Sequence, residues 1–267
     1  MSVQALYSAA TGMAAIETKL DVIANNLANV ETTAFKTDRA NFEDLFYRHD
    51  KLPGAEDTAG QYTPTGISVG LGSRVESVQT DFVQGSFEQT ARELDLAIEG
   101  PGFFQVMDPD GETRYTRAGN LSKNSNGDLV VGSAMTGRLI EPPISIPEDA
   151  TYVVVSAEGI VSVRQPGNNT LSQVGQIELA YFVNPDGLLK QGENLYAETD
   201  ASGAPTLGNP GQDGIGVVRQ GMLEGSNVEP VRELINLIKT QRAFELNSKV
   251  VQAGDEAMQI VANLKRY

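Results

Sequence analysis

Residues 6–30 read LYSAATGMAAIETKLDVIANNLANV. Leu6, Ala9, Met13, Ile16, Leu20, Ile23, Leu27 and Val30 follow one another at alternating steps of three and four, an apolar stripe with heptad spacing. Gly12 is a blemish in this pattern, costing about 1 kcal/mol against alanine in a helix interior. A segment of about 26 residues rising ~1.5 Å each makes a rod ~40 Å long. Such a rod needs a partner to cover its stripe, and the other end of the chain supplies one. From Ala243 the alternation returns as Leu246, Val250, Ala253, Ala257, Ile260 and Leu264. A second row, Leu237, Phe244, Val251 and Met258, recurs every seven residues about 100° around the same helix. One partner covers only a narrow seam, so a face this broad predicts burial on two sides. Ser226 or Asn227 is placed to cap this helix and Pro230 suits its first turn.

Between the helices the pattern changes. From Gln84 to Gly221 the chain is rich in glycine and β-branched residues, with short apolar runs such as FFQVM, YVVV and IELAYFV. DPDG (Asp108–Gly111), NSNG (Asn124–Gly127) and NPDG (Asn184–Gly187) separate such runs and predict tight turns, several of them hairpins. A β sandwich or open barrel is expected here. Residues 34–83 show little periodicity and read as an extended arm. Within them Tyr47–Gly66, carrying Pro53, Gly54 and Pro64, is heavy in Gly, Pro and Thr. Residues 200–214 form a return loop. The predicted class is α+β, with long N- and C-terminal helices pairing as a coiled coil. Its segments are 1–33 for the first helix, 34–83 for the arm, 84–221 for a mainly β central domain and 222–267 for the second helix.

Composition narrows the function. The 267 residues carry a formal charge of −15 and a pI near 4.5. Phosphate backbones and acidic lipid surfaces repel such a chain, so neither nucleic acid nor membrane insertion is expected. There is no cysteine, which removes disulfides, thiolate chemistry and zinc–sulfur sites together. The first 20 residues lack the basic and apolar regions of a cleaved signal. No stretch reaches the roughly 18 apolar residues that span a bilayer.

Chemistry-bearing constellations are weak. His49 is the only histidine and lies in the polar stretch YRHDK. Asp108 and Asp110 begin like a calcium loop, but the later ligands and closing glutamate are missing. Glu93 and Asp95 form an acidic pair of the kind glycosidases use, in a chain with 35 acidic residues. EGPGFF (Glu99–Phe104) lacks phosphate-loop spacing and any lysine; its glycines suit a sharp turn before a buried aromatic strand. No catalytic residue, cofactor or metal site is expected.

Four stretches carry a resemblance to the axial proteins of the bacterial flagellum, the rod and hook family, and within it to the distal rod members. They are DVIANNLANVETTAFK, LDLAIEGPGFFQV, GENLYAET and EGSNVEPVRELINLIKTQRAFELNSKVV. The resemblance implies a structural subunit that polymerises into a rigid helical tube and transmits motor torque to the hook, with paired terminal helices innermost and the β domain outside. It implies contacts with copies of itself, proximal rod proteins, the hook protein, surrounding ring proteins, the rod cap and the export apparatus, and export into the periplasm-crossing basal body without a cleaved signal. It also implies that the arm, through Tyr47, Pro53, Gly54, Pro64 and Gly66, braces the tube against bending. A proximal rod or hook protein of the same family is one alternative; a β-domain adhesin on a helical stalk is another.

In the heptad frame with Leu6 at a, Asn25, Asn26 and Asn29 fall at f, g and c, off the seam. Such residues either face solvent or meet a neighbouring subunit, where amides bond without burying charge. With the resemblance added, the second reading is expected. The assembly interface is then Leu6, Met13, Ile16, Leu20, Ile23, Asn25, Asn26, Leu27 and Asn29 on the first helix. On the second it is Leu237, Phe244, Leu246, Val250, Val251 and Ile260.

Overall fold

A computed structural model describes residues 3–54, 65–135, 137–167 and 170–264, with the main chain only at 3, 261 and 264. The chain divides into two compact units. The first contains residues 1–28, 38–80 and 229–267, and the second residues 29–37 and 81–228. The arm foreseen over 34–83 is thus shared: its ends belong to the second unit and its middle to the helices' unit.

In the first unit, helix α1 spans Val3–Ala28 and helix α2 spans Pro230–Leu264. They pack antiparallel, Leu6 lying against Gly254 and Gly12 against Asn247. A Cβ at Gly254 would fall 2.3 Å from Leu6 Cδ2, so any larger residue there would make the Leu6 side chain shift. At Gly12 a Cβ would sit 3.3 Å from the Asn247 amide nitrogen. The blemish in the stripe is therefore a seat for the other helix.

The arm is ordered where it is described. Strands β1 (Asp38–Asp44), β2 (Tyr47–Lys51), β3 (Ile67–Gly70) and β4 (Ser73–Thr80) make one two-stranded ribbon, β1 pairing β4 and β2 pairing β3. Leu45 and Leu71 donate to the carbonyls of Gly72 and Phe46, continuing the ribbon between the two ladders. The low periodicity of this extended arm has a physical cause. DRANFED and YRHDK carry too many polar residues on both faces to show alternation, because this ribbon has one face half-buried on α1 at β1 and β4 and none buried farther out.

The second unit is β-rich and antiparallel. Its largest sheet runs, in order, through Leu189–Gly192, Leu195–Ala197, Thr113–Thr116, Phe103–Met107, Arg138–Glu141, Leu129–Val131 and Leu121–Lys123. Leu179–Tyr181 adds to Phe103–Met107 as well, and a three-stranded sheet is formed by Tyr152–Val155, Ile160–Arg164 and Ser172–Gln176. An aliphatic core including Leu96, Ile98, Phe104, Val161, Ile177 and Leu179 fills the interior. A second cluster is aromatic, with Phe103, Tyr115, Phe182 and Tyr196 packed on Phe82. Tyr115 meets Phe182 edge-on at 4.8 Å between ring centroids, the geometry that ring quadrupoles favour. Burial, then the nearby Glu198 carboxylate, pushes the Tyr115 phenol up to about 12.

DPDG and NSNG are hairpin turns as expected, closed by Gly111 N–H to Asp108 O and by Gly127 N–H to Asn124 O. NPDG is instead a single 3-10 turn, Pro185–Gly187, and the strands on either side of it do not pair with each other.

Candidate functional site

Two features stand out from a well-packed background: a buried ionic junction in the second unit, and the outward face of α2 in the first.

The junction begins with the segment that follows α1. Ala34 is 2% exposed and left-handed, at φ 57°. Its small side chain makes that conformation tolerable where a β-branched residue would be strained. Ala34 N–H donates to the Glu224 carbonyl at 2.7 Å, and Asn227 N–H donates to the Phe35 carbonyl at 3.3 Å. Lys36 then turns inward. Its ammonium lies 2.6 Å from Glu224 Oε1 and donates to the Val83 carbonyl at 2.8 Å. Arg117 reaches the other carboxylate oxygen, Nε to Oε2, at 2.9 Å. The side chains of Lys36 and Glu224 are wholly enclosed and that of Arg117 nearly so.

Three charges in a dry interior are costly unless each is paired and hydrogen-bonded. Here they are. Arg117 donates to the carbonyls of Gly102 and Gly100, both at 3.0 Å, and of Ile98 at 3.3 Å. Gly100 and Gly102 sit at φ 101° and 142°, turning those carbonyls onto the guanidinium. The ring of Phe103 lies 5.9 Å away, where its negative face helps offset the excess positive charge. Gly85 N–H donates to Glu224 Oε1 at 3.0 Å. Burial pushes the Lys36 ammonium below the ordinary lysine range, with Glu224 opposing and Arg117 adding to it. Burial alone would raise the Glu224 carboxyl, but Arg117 and Lys36 outweigh it and hold it below the usual carboxylate range.

Asn227 completes the junction. Its Oδ1 accepts from Thr37 N–H at 2.7 Å and Thr37 Oγ1 at 2.6 Å, while its Nδ2 donates to the carbonyls of Asp81 and Val83. It does not cap α2, as its position in the sequence suggested; its amide is used on the other segments. Lys190 and Asn194 donate to the carbonyls of Lys36 and Thr33, so the GENLYAET stretch, through Asn194, and the lysine just before it hold the same segment from another side. All four stretches that carried the resemblance meet here.

Sequence reasoning did not find Lys36, Arg117, Glu224 or Asn227 as a group. The lysine and glutamate are 188 residues apart, and no local period joins them. Lys36 ends one of the distinctive stretches and Glu224 begins another, and that was the available signal.

The helix residues divide by face. Leu6, Met13, Ile16, Leu20 and Leu27 are half-buried and Ile23 is buried. On α2 the inner face consists of Leu237, Thr240, Ala243, Asn247, Val251 and Gly254. The row Leu246, Val250 and Ile260 points outward, Leu246 being 63% and Ile260 62% exposed, and Phe244 is exposed beside it. The heptad row taken as the seam is thus the outer one. Small residues let the helices approach, and the larger apolar side chains are left on the outside. The asparagines also separate. Asn25 is exposed, and Asn29 Oδ1 accepts from the Thr32 hydroxyl just past the helix end. Asn26 is 1% exposed, its amide donating to the Asp38 carbonyl at 2.8 Å and accepting from Asp38 N–H at 2.9 Å. Its expected place at a contact between subunits is corrected: the amide fastens α1 to the start of β1, because the ribbon returns along the helix at that point.

In the arm, Tyr47, Pro53, Gly54 and Gly66 are exposed, and Pro64 lies outside the described residues. A Cβ on Gly66 would meet the Lys51 carbonyl at 2.6 Å and Pro53 Cδ at 2.7 Å, so the two ends of the loop come together there. His49 is exposed on β2. Asp108 accepts from Arg138 Nε at 2.8 Å, and Glu93 accepts from Val153 N–H at 3.1 Å. Asp95 is buried with Arg92 3.7 Å away. Among the described residues no group of three or more His, Cys, Asp or Glu could hold a metal ion, and no helix is long and apolar enough to cross a membrane.

Three family patterns match the chain. Residues 6–36 match "Flagella basal body rod protein", residues 97–163 "Flagellar hook protein FlgE/F/G D1 domain", and residues 219–264 "Flagellar basal body rod FlgEFG protein C-terminal". The chain is similar to the flagellar basal-body rod protein FlgG of Caulobacter vibrioides, 44% identical over 263 residues, covering 98% of this chain and 99% of that one. Similarity to FlgG of Borreliella burgdorferi is 43% over 265 residues, covering 98% and 99%. To the rod protein FlgF of Caulobacter vibrioides it is 36% over 256 residues, covering 92% and 91%. These matches give the adhesin alternative no support.

Proposed function

The chain belongs to the flagellar basal-body rod protein family, and from that premise we propose that it is the structural subunit of the distal rod. Many copies join head to tail by a heterologous contact that does not close, which generates a helix. The single observation that supports this most is 43–44% identity over nearly the full length to FlgG proteins, against 36% to the FlgF of Caulobacter vibrioides. The outward row of α2 agrees with it. Monomers rarely expose such a row of apolar side chains without a partner surface, and a second copy provides one. In this reading α1 and α2 form the coiled-coil inner layer of the tube and the ribbon's outer end braces neighbouring copies. Proximal rod proteins, the hook protein, ring proteins, the cap and the export apparatus are its further partners, and its work is to carry torque.

Electron microscopy of the concentrated protein tests this, beside a variant lacking residues 54–65. The ends of that loop already meet at Gly66, so its removal leaves the ribbon closed. The intact chain should give straight filaments and the deletion curved or flexible ones. No filament from the intact chain would reject the rod reading. Curved filaments from it would favour the hook. Straight filaments from both would show that the loop is not the stiffener.

A further inference from the structure

We infer that Lys36 is a register pin: it fixes how residues 33–37 lie against residues 224–228, and contributes specificity there rather than stability.

Backbone bonds alone do not fix this alignment. Only two join the segments, Ala34 N–H to Glu224 O and Asn227 N–H to Phe35 O. Such bonds are blind to sequence and can be remade one residue along. A slip of one residue moves the chain by ~3.3 Å. That would carry the Lys36 ammonium away from a carboxylate now 2.6 Å distant, leaving it charged and enclosed. It would also place Thr33 or Phe35 in the left-handed conformation that Ala34 now occupies. It would break the bonds from Thr37 N–H and Oγ1 to Asn227 Oδ1 as well, so the wrong alignment is penalised three times.

The rest of the junction is complete without this lysine. Glu224 keeps Arg117 and the Gly85 amide, and the Val83 carbonyl keeps the Asn227 amide at 3.0 Å. No polar group is left unpaired when Lys36 is replaced by an apolar side chain of similar length. Exchanging buried charge for well-packed apolar atoms is often neutral for stability, and methionine fits irregular space readily. The benefit of alignment is geometric. Residue 37 and residue 228 are where the chain leaves this unit towards β1 and α2, so pinning the segments holds the two departure points at one spacing in every copy. The pin does not depend on the rod reading, and its test involves no filament.

The test is Lys36→Met in the full chain, with melting temperature and amide hydrogen exchange measured together. The expected result is a melting temperature within about 4 °C of the parent, with exchange at Ala34, Thr37 and Asn227 at least ~10-fold faster or their resonances doubled, a change of about 1.4 kcal/mol or more in local opening. Amides of the aliphatic core, such as Val161 and Leu179, should be unchanged. Unchanged exchange at Ala34, Thr37 and Asn227 would overturn the proposal, because the alignment would then be set without the lysine. A variant that unfolds, or that loses protection throughout the unit, would overturn it equally, since Lys36 would then be a source of stability.

Discussion

Asn26 shows how much one side chain can settle. A carboxamide both donates and accepts, and here both functions are used on one backbone residue, Asp38. Asparagine is a mediocre helix former, less favourable than alanine by up to ~0.7 kcal/mol, so propensity alone predicts that Asn26→Ala stabilises α1. Burial predicts the reverse. The substitution removes both hydrogen bonds between the Asn26 side chain and the Asp38 backbone, at about 0.5–1.5 kcal/mol each. Urea denaturation followed by far-ultraviolet circular dichroism should show a net loss of about that size. The sequence marks this residue as unusual for a helix, but not the reason, since the reason is a strand that begins 12 residues later.

At the scale of elements, the two helices are not equivalent in how well they can be read. The stripe of α1 is bulky and regular, and its residues are the half-buried ones. On α2 an apolar period is equally clear, yet periodicity says which residues share a face and not which neighbour takes it. Thr240, Ala243, Asn247 and Gly254 face inward, and none stands out on a hydropathy criterion. The difference gives a contrast between two substitutions. Leu20→Asp places a charge in a half-buried helix contact and should lower the stability of the isolated chain by several kcal/mol. Leu246→Asp, at an exposed position, should change it by no more than ~0.5 kcal/mol while abolishing filament growth. Denaturation midpoints and sedimentation of the two variants side by side separate the cases. Equal loss of stability would mean that the outward row of α2 is covered within the chain.

For the whole molecule, the network around Glu224 sets the response to acid. Its carboxyl ionises below its ordinary value of 4.5 in the folded chain. Between the lowered value and 4.5 the unfolded chain binds more protons than the folded one, so stability rises with pH there. The contribution is complete above about pH 4.5 and is lost as pH falls through the lowered value, when Lys36 and Arg117 lose their counter-charge. Near-ultraviolet circular dichroism of the aromatic cluster, in a chain without tryptophan, should show the denaturation midpoint of the β-rich unit falling below pH 4.5. A midpoint flat from pH 6 to 3 would mean that the junction does not contribute. None of this is legible from net charge. The −15 formal charge describes the surface, whereas the acid response is set by an enclosed group whose partners come from distant parts of the chain.

The paired bonds of Asn26 have a mechanical meaning as well. One hydrogen bond is a pivot, about which a helix can roll. Two, running in opposite directions to the same backbone residue 2.8 and 2.9 Å away, resist rolling as a key resists slip between an axle and its hub. Twist applied to α1 is then passed to β1 without free play. Where a machine reverses its direction of rotation, free play at each part would add up along the train; a keyed joint in every copy keeps that lost motion small.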